Sequence, residues 1–195
     1  MIILGLTGSV GMGKSTAARE FRRMGIPVHD ADKAVHRLLG RGGKAVAAAF
    51  PGVEKGGVID RAALGRLVFS DPAALKRLEA ILHPLVRQAE RAFLARARRR
   101  RRKLVVLDIP LLFETGGEAR CDKVVVVSAP RRVQLARVMA RPGMTADRLA
   151  GVEARQMPDA EKRRRADIVI ETGLDRRHSL AKLHRALRRL TAPNR

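Results

Sequence analysis

The segment Gly8-Ser9-Val10-Gly11-Met12-Gly13-Lys14-Ser15 constrains this chain more than any other, because its glycines allow a backbone path that residues with a Cβ rarely take. It follows the short apolar run Ile2-Ile3-Leu4-Gly5-Leu6 and leads into residues 14–24, where Ala17, Ala18, Phe21 and Met24 recur at helical spacing. The context is therefore strand, glycine loop, helix, and the eight residues match G-x-x-x-x-G-K-[ST] in full. A loop of this kind curls so that successive N–H groups point inward at phosphate oxygens, and the helix behind it adds the positive end of its dipole. Lys14 is suited to neutralise β- and γ-phosphates, and the Ser15 hydroxyl to ligate Mg²⁺. The pattern implies a P-loop, expected to hold ATP·Mg²⁺ through Gly8, Gly11, Met12, Gly13, Lys14, Ser15 and Thr16; the loop alone does not distinguish a kinase from a GTPase or a helicase, so the second site must be read from the other strand ends.

The rest of the chain continues the alternation. Ile26-Pro27-Val28-His29 reads as a second strand delivering Asp30-Ala31-Asp32, and residues 34–39 as a helix. Residues 40–57 are glycine-rich and read as loop, with a helical turn or two at 45–50. Asp71-Pro72 opens a mostly helical stretch to about residue 102, in which Leu75, Leu78, Ile81 and Leu82 keep helical spacing and Pro84 is expected to break or kink it. Residues 104–107 and 124–127 are apolar runs without polar alternation, as in strands covered on both faces by helices. A helix at 130–140, one capped by Thr145 and reaching about Met157, a strand at 168–170 and a helix at 175–190 complete the pattern. The expected fold is α/β: a P-loop-type, doubly wound parallel sheet flanked by helices, in one domain.

The 195 residues carry 41 Lys and Arg against 19 Asp and Glu, a formal charge of +22, which favours anionic partners. Aromatic platforms for stacking single-stranded bases are scarce, with no Trp, no Tyr and five Phe, so nucleic acid is disfavoured as a partner. A single cysteine, Cys121, allows no internal disulfide and suits a reducing compartment. The first apolar run has no basic stretch ahead of it and ends early in glycines, so a cytoplasmic protein with no membrane partner is expected.

Ligands of parallel sheets bind at the carboxyl ends of the strands. Two acidic segments fall there: Asp30-Ala31-Asp32 after the second strand, and Asp108 opening Asp108-Ile109-Pro110-Leu111-Leu112-Phe113-Glu114 after the third. A carboxylate opposite a γ-phosphate can take the proton of an attacking hydroxyl or help hold the metal. On its own, Asp-Ala-Asp equally fits a capping pair before a helix, and Asp108 a structural carboxylate.

Across nearly its whole length the sequence resembles the dephospho-CoA kinase family. The segments that carry the resemblance are LTGSVGMGKST, MGIPVHDADKAVH, GGVIDRAALGRLVF, LEAILHPLVR, DIPLLFE and ARQMPDAEKRRRADIVI, in that order. The resemblance implies transfer of the ATP γ-phosphoryl group to the ribose 3′-hydroxyl of dephospho-CoA. The fold it implies has a P-loop core, a helical acceptor-side insertion at about 31–100 and a lid at about 141–165. It makes Asp32 the catalytic base and, with Ser15, a metal-side residue. His83, Arg87, Leu111, Phe113 and Glu114 fall to the acceptor side, and Arg141, before Pro142-Gly143, to the lid arginine that meets ATP phosphates. Arg148 and Arg155, seven residues apart, would share one helix face.

Three features depart from the family pattern. Met12 stands where serine is common, a change that a loop working through backbone N–H groups tolerates. Glu171-Thr172-Gly173 replaces an asparagine-containing segment, and the basic run 98–103 reads as a solvated helix end. The competing expectations are another P-loop small-molecule kinase, such as a nucleoside monophosphate kinase, and a nucleic-acid-binding NTPase, which charge alone favours.

Overall fold

The computed structural model describes residues 1–41 and 43–191; of the glycine-rich stretch 40–57, Gly42 lies outside the described residues. In chain order the first elements are β1 (Ile2–Thr7), α1 (Lys14–Arg23), β2 (Val28–Asp30), α2 (Ala31–Arg41), α3 (Lys44–Ala49), β3 (Glu54–Lys55), β4 (Val58–Ile59), α4 (Arg61–Ser70) and α5 (Pro72–Arg99). They are followed by β5 (Leu104–Asp108), a short 3-10 turn (Gly117–Arg120), β6 (Lys123–Ser128), α6 (Arg131–Met139), α7 (Ala146–Glu153), α8 (Asp159–Arg165), β7 (Ile168–Glu171) and α9 (Arg176–Thr191). The chain divides into two compact units, Met1–His29 with Ala97–Arg195, and Asp30–Arg96.

The first unit is built on a five-stranded sheet in the order β2-β5-β1-β6-β7. Parallel pairing sets Leu4 against Val106 in β5, Leu6 against Val125 in β6, and Val127 in β6 against Ile170 in β7. Every residue of β5 is buried, as are Val124 to Ser128 of β6, which explains why these runs show no polar alternation: both faces are covered. Leu4, Leu6, Val106, Val125 and Val127 pack with Phe21 of α1 and with Leu183 and Leu187 of α9 in one core. The expected parallel α/β sheet flanked by helices is the observed one.

The second unit has its own core, in which Leu39, Val46, Phe50, Val53, Ile59, Leu64, Leu78 and Leu82 meet. Asp60 caps α4 by accepting from the N–H groups of Ala62 and Ala63, each at 3.0 Å. The stretch 40–57 is more ordered than its glycines suggest, since it holds α3 and one strand of an antiparallel β3/β4 pair. Pro84 does not break α5, which runs 28 residues with the proline inside it. One ladder hydrogen bond is lost there, but Ala74, Leu78 and Leu82, spaced by four, anchor the preceding turns in the core.

Two further expectations are corrected. Helix α7 stops at Glu153, because Arg155 and Gln156 bond back by three residues, to Val152 and Glu153, and Met157 precedes Pro158. Arg155 therefore follows the helix and does not share a face of it with Arg148. Among the described residues no helix is long and apolar enough to cross a membrane.

Candidate functional site

At the carboxyl end of β1 the chain passes through Gly8 so close to β6 that a Cβ on it would lie 2.4 Å from Val127 Cγ2 and 2.6 Å from the Val127 carbonyl oxygen. Gly13, with φ 94°, sits at the N-cap of α1 in the left-handed region and turns the loop into the helix. Its carbonyl accepts from Thr16 and Ala17, so the first turn of α1 is closed. Lys14 opens this turn, and its Nζ lies 2.6 Å from Asp108 Oδ1 at the end of β5. The lysine is 17% exposed and the aspartate 5%, so the ammonium is held at the mouth of the loop and not swung into solvent. Ser15 is exposed beside it, and Thr16 half-buried.

The loop is braced from behind. Met12 is 3% exposed; its side chain lies in the core, and its Sδ accepts from the Ala129 N–H at 3.0 Å. The Met12 carbonyl accepts from the Thr172 hydroxyl at 2.7 Å, and that hydroxyl takes an Arg137 N–H at 3.0 Å. Arg137 also donates to the carbonyls of Thr172 at 2.5 Å and Gly11 at 3.4 Å. The Glu171-Thr172-Gly173 segment thus supports the glycine loop. Sequence reasoning missed Arg137, Gln134 and Gln156. The available signal was Gln134, a polar residue on the α6 face that packs inward and is 3% exposed.

The segment after β5 is fixed as well. Leu112 and Phe113 are buried, Leu111 is half-buried, and the Arg165 guanidinium stacks 4.7 Å above the Phe113 ring. Glu114 accepts from the Met157 N–H at 2.7 Å, and Lys162, wholly buried, lies 2.8 Å from the same Glu114 oxygen as an ion contact without hydrogen-bond alignment. Arg141 is exposed just past α6, and Arg148 donates to the Gly143 carbonyl.

In the second unit, Asp30 and Asp32 have different environments. Asp30 Oδ1 accepts from the Lys33 N–H at 3.0 Å and so caps α2. Asp32, in the first turn of that helix, is exposed and has no partner among the described residues. His83 and Arg87 are both exposed on α5, one turn apart and on one face. The donors on offer, the Ser15 hydroxyl and aspartate carboxylates, are the hard oxygens that suit Mg²⁺. Among the described residues no group of three or more His, Cys, Asp or Glu forms a cage, so such an ion would take most of its ligands from phosphate and water.

Comparison with known proteins adds a family. Residues 2–175 match the family model described as dephospho-CoA kinase. A dephospho-CoA kinase of Paramagnetospirillum magneticum is 70% identical over 166 residues, 84% of this chain and 78% of the relative. One from Mesorhizobium japonicum is 62% identical over 174 residues, 89% of this chain and 88% of the relative. Among solved structures, the dephospho-CoA kinase of Campylobacter jejuni superposes with TM-score 0.74 at 26% identity, over 97% of this chain and 96% of its own. A shikimate kinase of Acinetobacter baumannii, at TM-score 0.56 and 17% identity over 100% of this chain and 96% of its own, shares the fold.

Proposed function

The chain belongs to the dephospho-CoA kinase family, and from that premise we propose that it transfers the γ-phosphoryl group of ATP to the ribose 3′-hydroxyl of dephospho-CoA, giving coenzyme A and ADP. The observation that carries this is a complete phosphate-binding loop whose Lys14 is already held at its mouth by Asp108, in a chain with a relative of that name at 70% identity. Gly8, Gly11, Met12, Gly13, Lys14, Ser15 and Thr16 bind the ATP phosphates. Met12 acts through its backbone, because its side chain is turned into the core.

Asp32 accepts the proton of the 3′-hydroxyl as that oxygen attacks the γ-phosphorus; the new O–P bond forms while the bond to the β–γ bridging oxygen breaks, and ADP leaves. Two facts support Asp32 over Asp30: Asp30 is spent on capping α2, and Asp32 is exposed and unengaged. Ser15 and Asp32 are the residues that would hold Mg²⁺, which when bound offsets phosphate charge. Lys14 neutralises the β- and γ-phosphates, and Arg141 meets the transferring group from the lid, 141–165, where a mobile cation is useful as charge develops.

The helical insertion at about 31–100 serves the acceptor. His83 and Arg87 present an imidazole and a guanidinium from one helix face, suited to a phosphorylated nucleotide, and family membership assigns Leu111, Phe113 and Glu114 to the acceptor as well. ATP and dephospho-CoA are the partners in this assignment; a cytoplasmic site of action follows from the substrates.

A coupled assay with ATP·Mg²⁺ and four acceptors tests it. kcat/KM for dephospho-CoA should far exceed the values for AMP, adenosine and CMP. A monophosphate kinase attacks with an oxygen that is already ionised and has little need of a base, so an AMP or CMP value at or above that of dephospho-CoA would overturn the proposal.

A further inference from the structure

The crest of the phosphate-binding loop is held by side chains that the chemistry above does not use. Val10 is half-buried, and none of the loop's own turn bonds engages its N–H or its carbonyl. Both are satisfied from outside: the Val10 N–H donates to Gln156 Oε1 at 3.1 Å, and Gln134 Nε2 donates to the Val10 carbonyl at 2.9 Å. The two amides have fixed orientations. Arg131, which has donors only, donates to Gln134 Oε1 at 2.8 Å, so Gln134 must turn its NH₂ toward Val10. Gln156 faces an N–H, so it must offer its oxygen.

Gln156 is itself well anchored. Its own N–H bonds to Glu153 at 2.9 Å, and its neighbour Met157 is held by Glu114. Glu153 in turn receives Arg131 in a two-pronged pair and Gln134 at 3.3 Å. A continuous chain of contacts therefore runs from α6 and α7 to one residue of the loop, with its last link in the connection between α7 and α8.

We infer that Gln156 is a positioning residue for ATP: it fixes the crest of the loop so that the inward N–H groups are set before the phosphates arrive, and it ties that geometry to the 141–165 arm. The inference rests on the proposal that this loop binds ATP. A preset cradle acts on ground state and transition state alike, so its loss shows mainly as weaker ATP binding. Gln156→Leu, of similar size but without an acceptor, leaves the Val10 N–H unmatched and should raise KM for ATP by about tenfold. KM for dephospho-CoA and kcat should stay within about threefold. Gln156→Glu keeps the acceptor oxygen and should recover most of the ATP affinity. Gln134→Glu presents an oxygen to the Val10 carbonyl and should not be tolerated in the same way.

The measurements are KM for each substrate, calorimetric binding of ATP·Mg²⁺ to the full chain, and the thermal midpoint without nucleotide. Failure of the wild-type chain to bind ATP would refute the proposal beneath. Normal ATP affinity in Gln156→Leu would refute only the positioning role. So would a lowered midpoint with unchanged KM, because that is what a merely structural glutamine would give.

Discussion

In the first unit Lys14 at the start of α1 and Asp108 at the end of β5 already touch at 2.6 Å, whereas in the second unit Asp32, His83 and Arg87 stand exposed on helices. The contrast extends to the surroundings. The glycine loop is braced by Thr172, Arg137, Gln134 and Gln156, while Asp32 and its two companions have no partner among the described residues. A site built before its ligand arrives has its ordering entropy met during folding, so its charged groups can be half-buried and paired. Under the proposed function, residues that wait in solvent gain their partners from the substrate. The difference fits a division of labour in which the donor side is preset and the acceptor side is completed on binding.

The sharpest way to break this comparison is at Asp30 and Asp32, two residues apart with opposite environments. Asp32→Asn keeps size and hydrogen bonding but removes the basic carboxylate, so turnover should fall by roughly 10²-fold or more, with ATP affinity changed much less and the thermal midpoint nearly unchanged. Asn caps a helix as well as Asp, so Asp30→Asn should preserve both activity and stability. Near-normal turnover in Asp32→Asn beside an inactive Asp30→Asn would move the base to Asp30 and dissolve the distinction between a capping and an uncommitted carboxylate.

A smaller effect should appear in the first unit at Glu20, which is 3% exposed and shows how fully that unit pairs its charges. Arg23 holds the carboxylate first, against the cost of burial, and His184 of α9 meets it at 2.6 Å; together they bring it from its ordinary value of 4.5 down to about 2. A depressed carboxyl group stabilises the fold above its unfolded value and loses that contribution as pH falls from about 4.5 to about 2. Glu20→Gln should therefore lower the thermal midpoint at neutral pH, and the gap from the parent should close through that acid window. Urea or thermal melts at pH 7, 4 and 2.5 measure it; a gap that is constant with pH would mean that Glu20 acts by packing alone.

The glycine loop was legible in the sequence because backbone demands act on residue identity. Gly8 cannot carry a Cβ against Val127 and Gly13 needs positive φ, so the motif is visible letter by letter. The buried β5 and β6 runs were equally plain, since double burial leaves only apolar residues. What sequence hid was long-range polar bracing: nothing local says that Gln156 reaches Val10, 146 positions away, or that Glu114 holds Met157. In the second unit the helical turns expected at 45–50 are α3, but the glycines at 40–57 masked the β3/β4 pair, because a small core of Val46, Phe50, Val53 and Ile59 outweighs weak local propensity. At Pro84 the helix is not broken, for the same reason: tertiary packing overrides a local penalty. Helix α8 was missed although Pro158 and the acidic first turn at Asp159 and Glu161 mark its start.

The smallest effects are expected at the basic run 98–103, which belongs to neither pattern: it is charged like the donor side and solvated like the acceptor side. All six residues are exposed. They close α5 through bonds from the Arg102 N–H to the Ala97 carbonyl and from the Arg101 N–H to the Arg98 carbonyl, with Arg101 at φ 51° where glycine usually sits. The run therefore ends a helix, at a backbone position that an arginine occupies with some strain. Replacing Arg99, Arg100 and Arg101 together with Gln removes three charges but leaves that backbone unchanged, so kinase activity should stay within a few fold. Arg101→Gly alone should raise stability by up to about 1 kcal/mol, because glycine takes the left-handed position without strain. Steady-state kinetics at moderate and low salt decide what the charges do. Loss of dephospho-CoA binding in the triple variant at moderate salt, recovered at low salt, would show that the run captures the anionic acceptor from a distance. The acceptor side would then be drawn in by solvated charge as well as completed on binding.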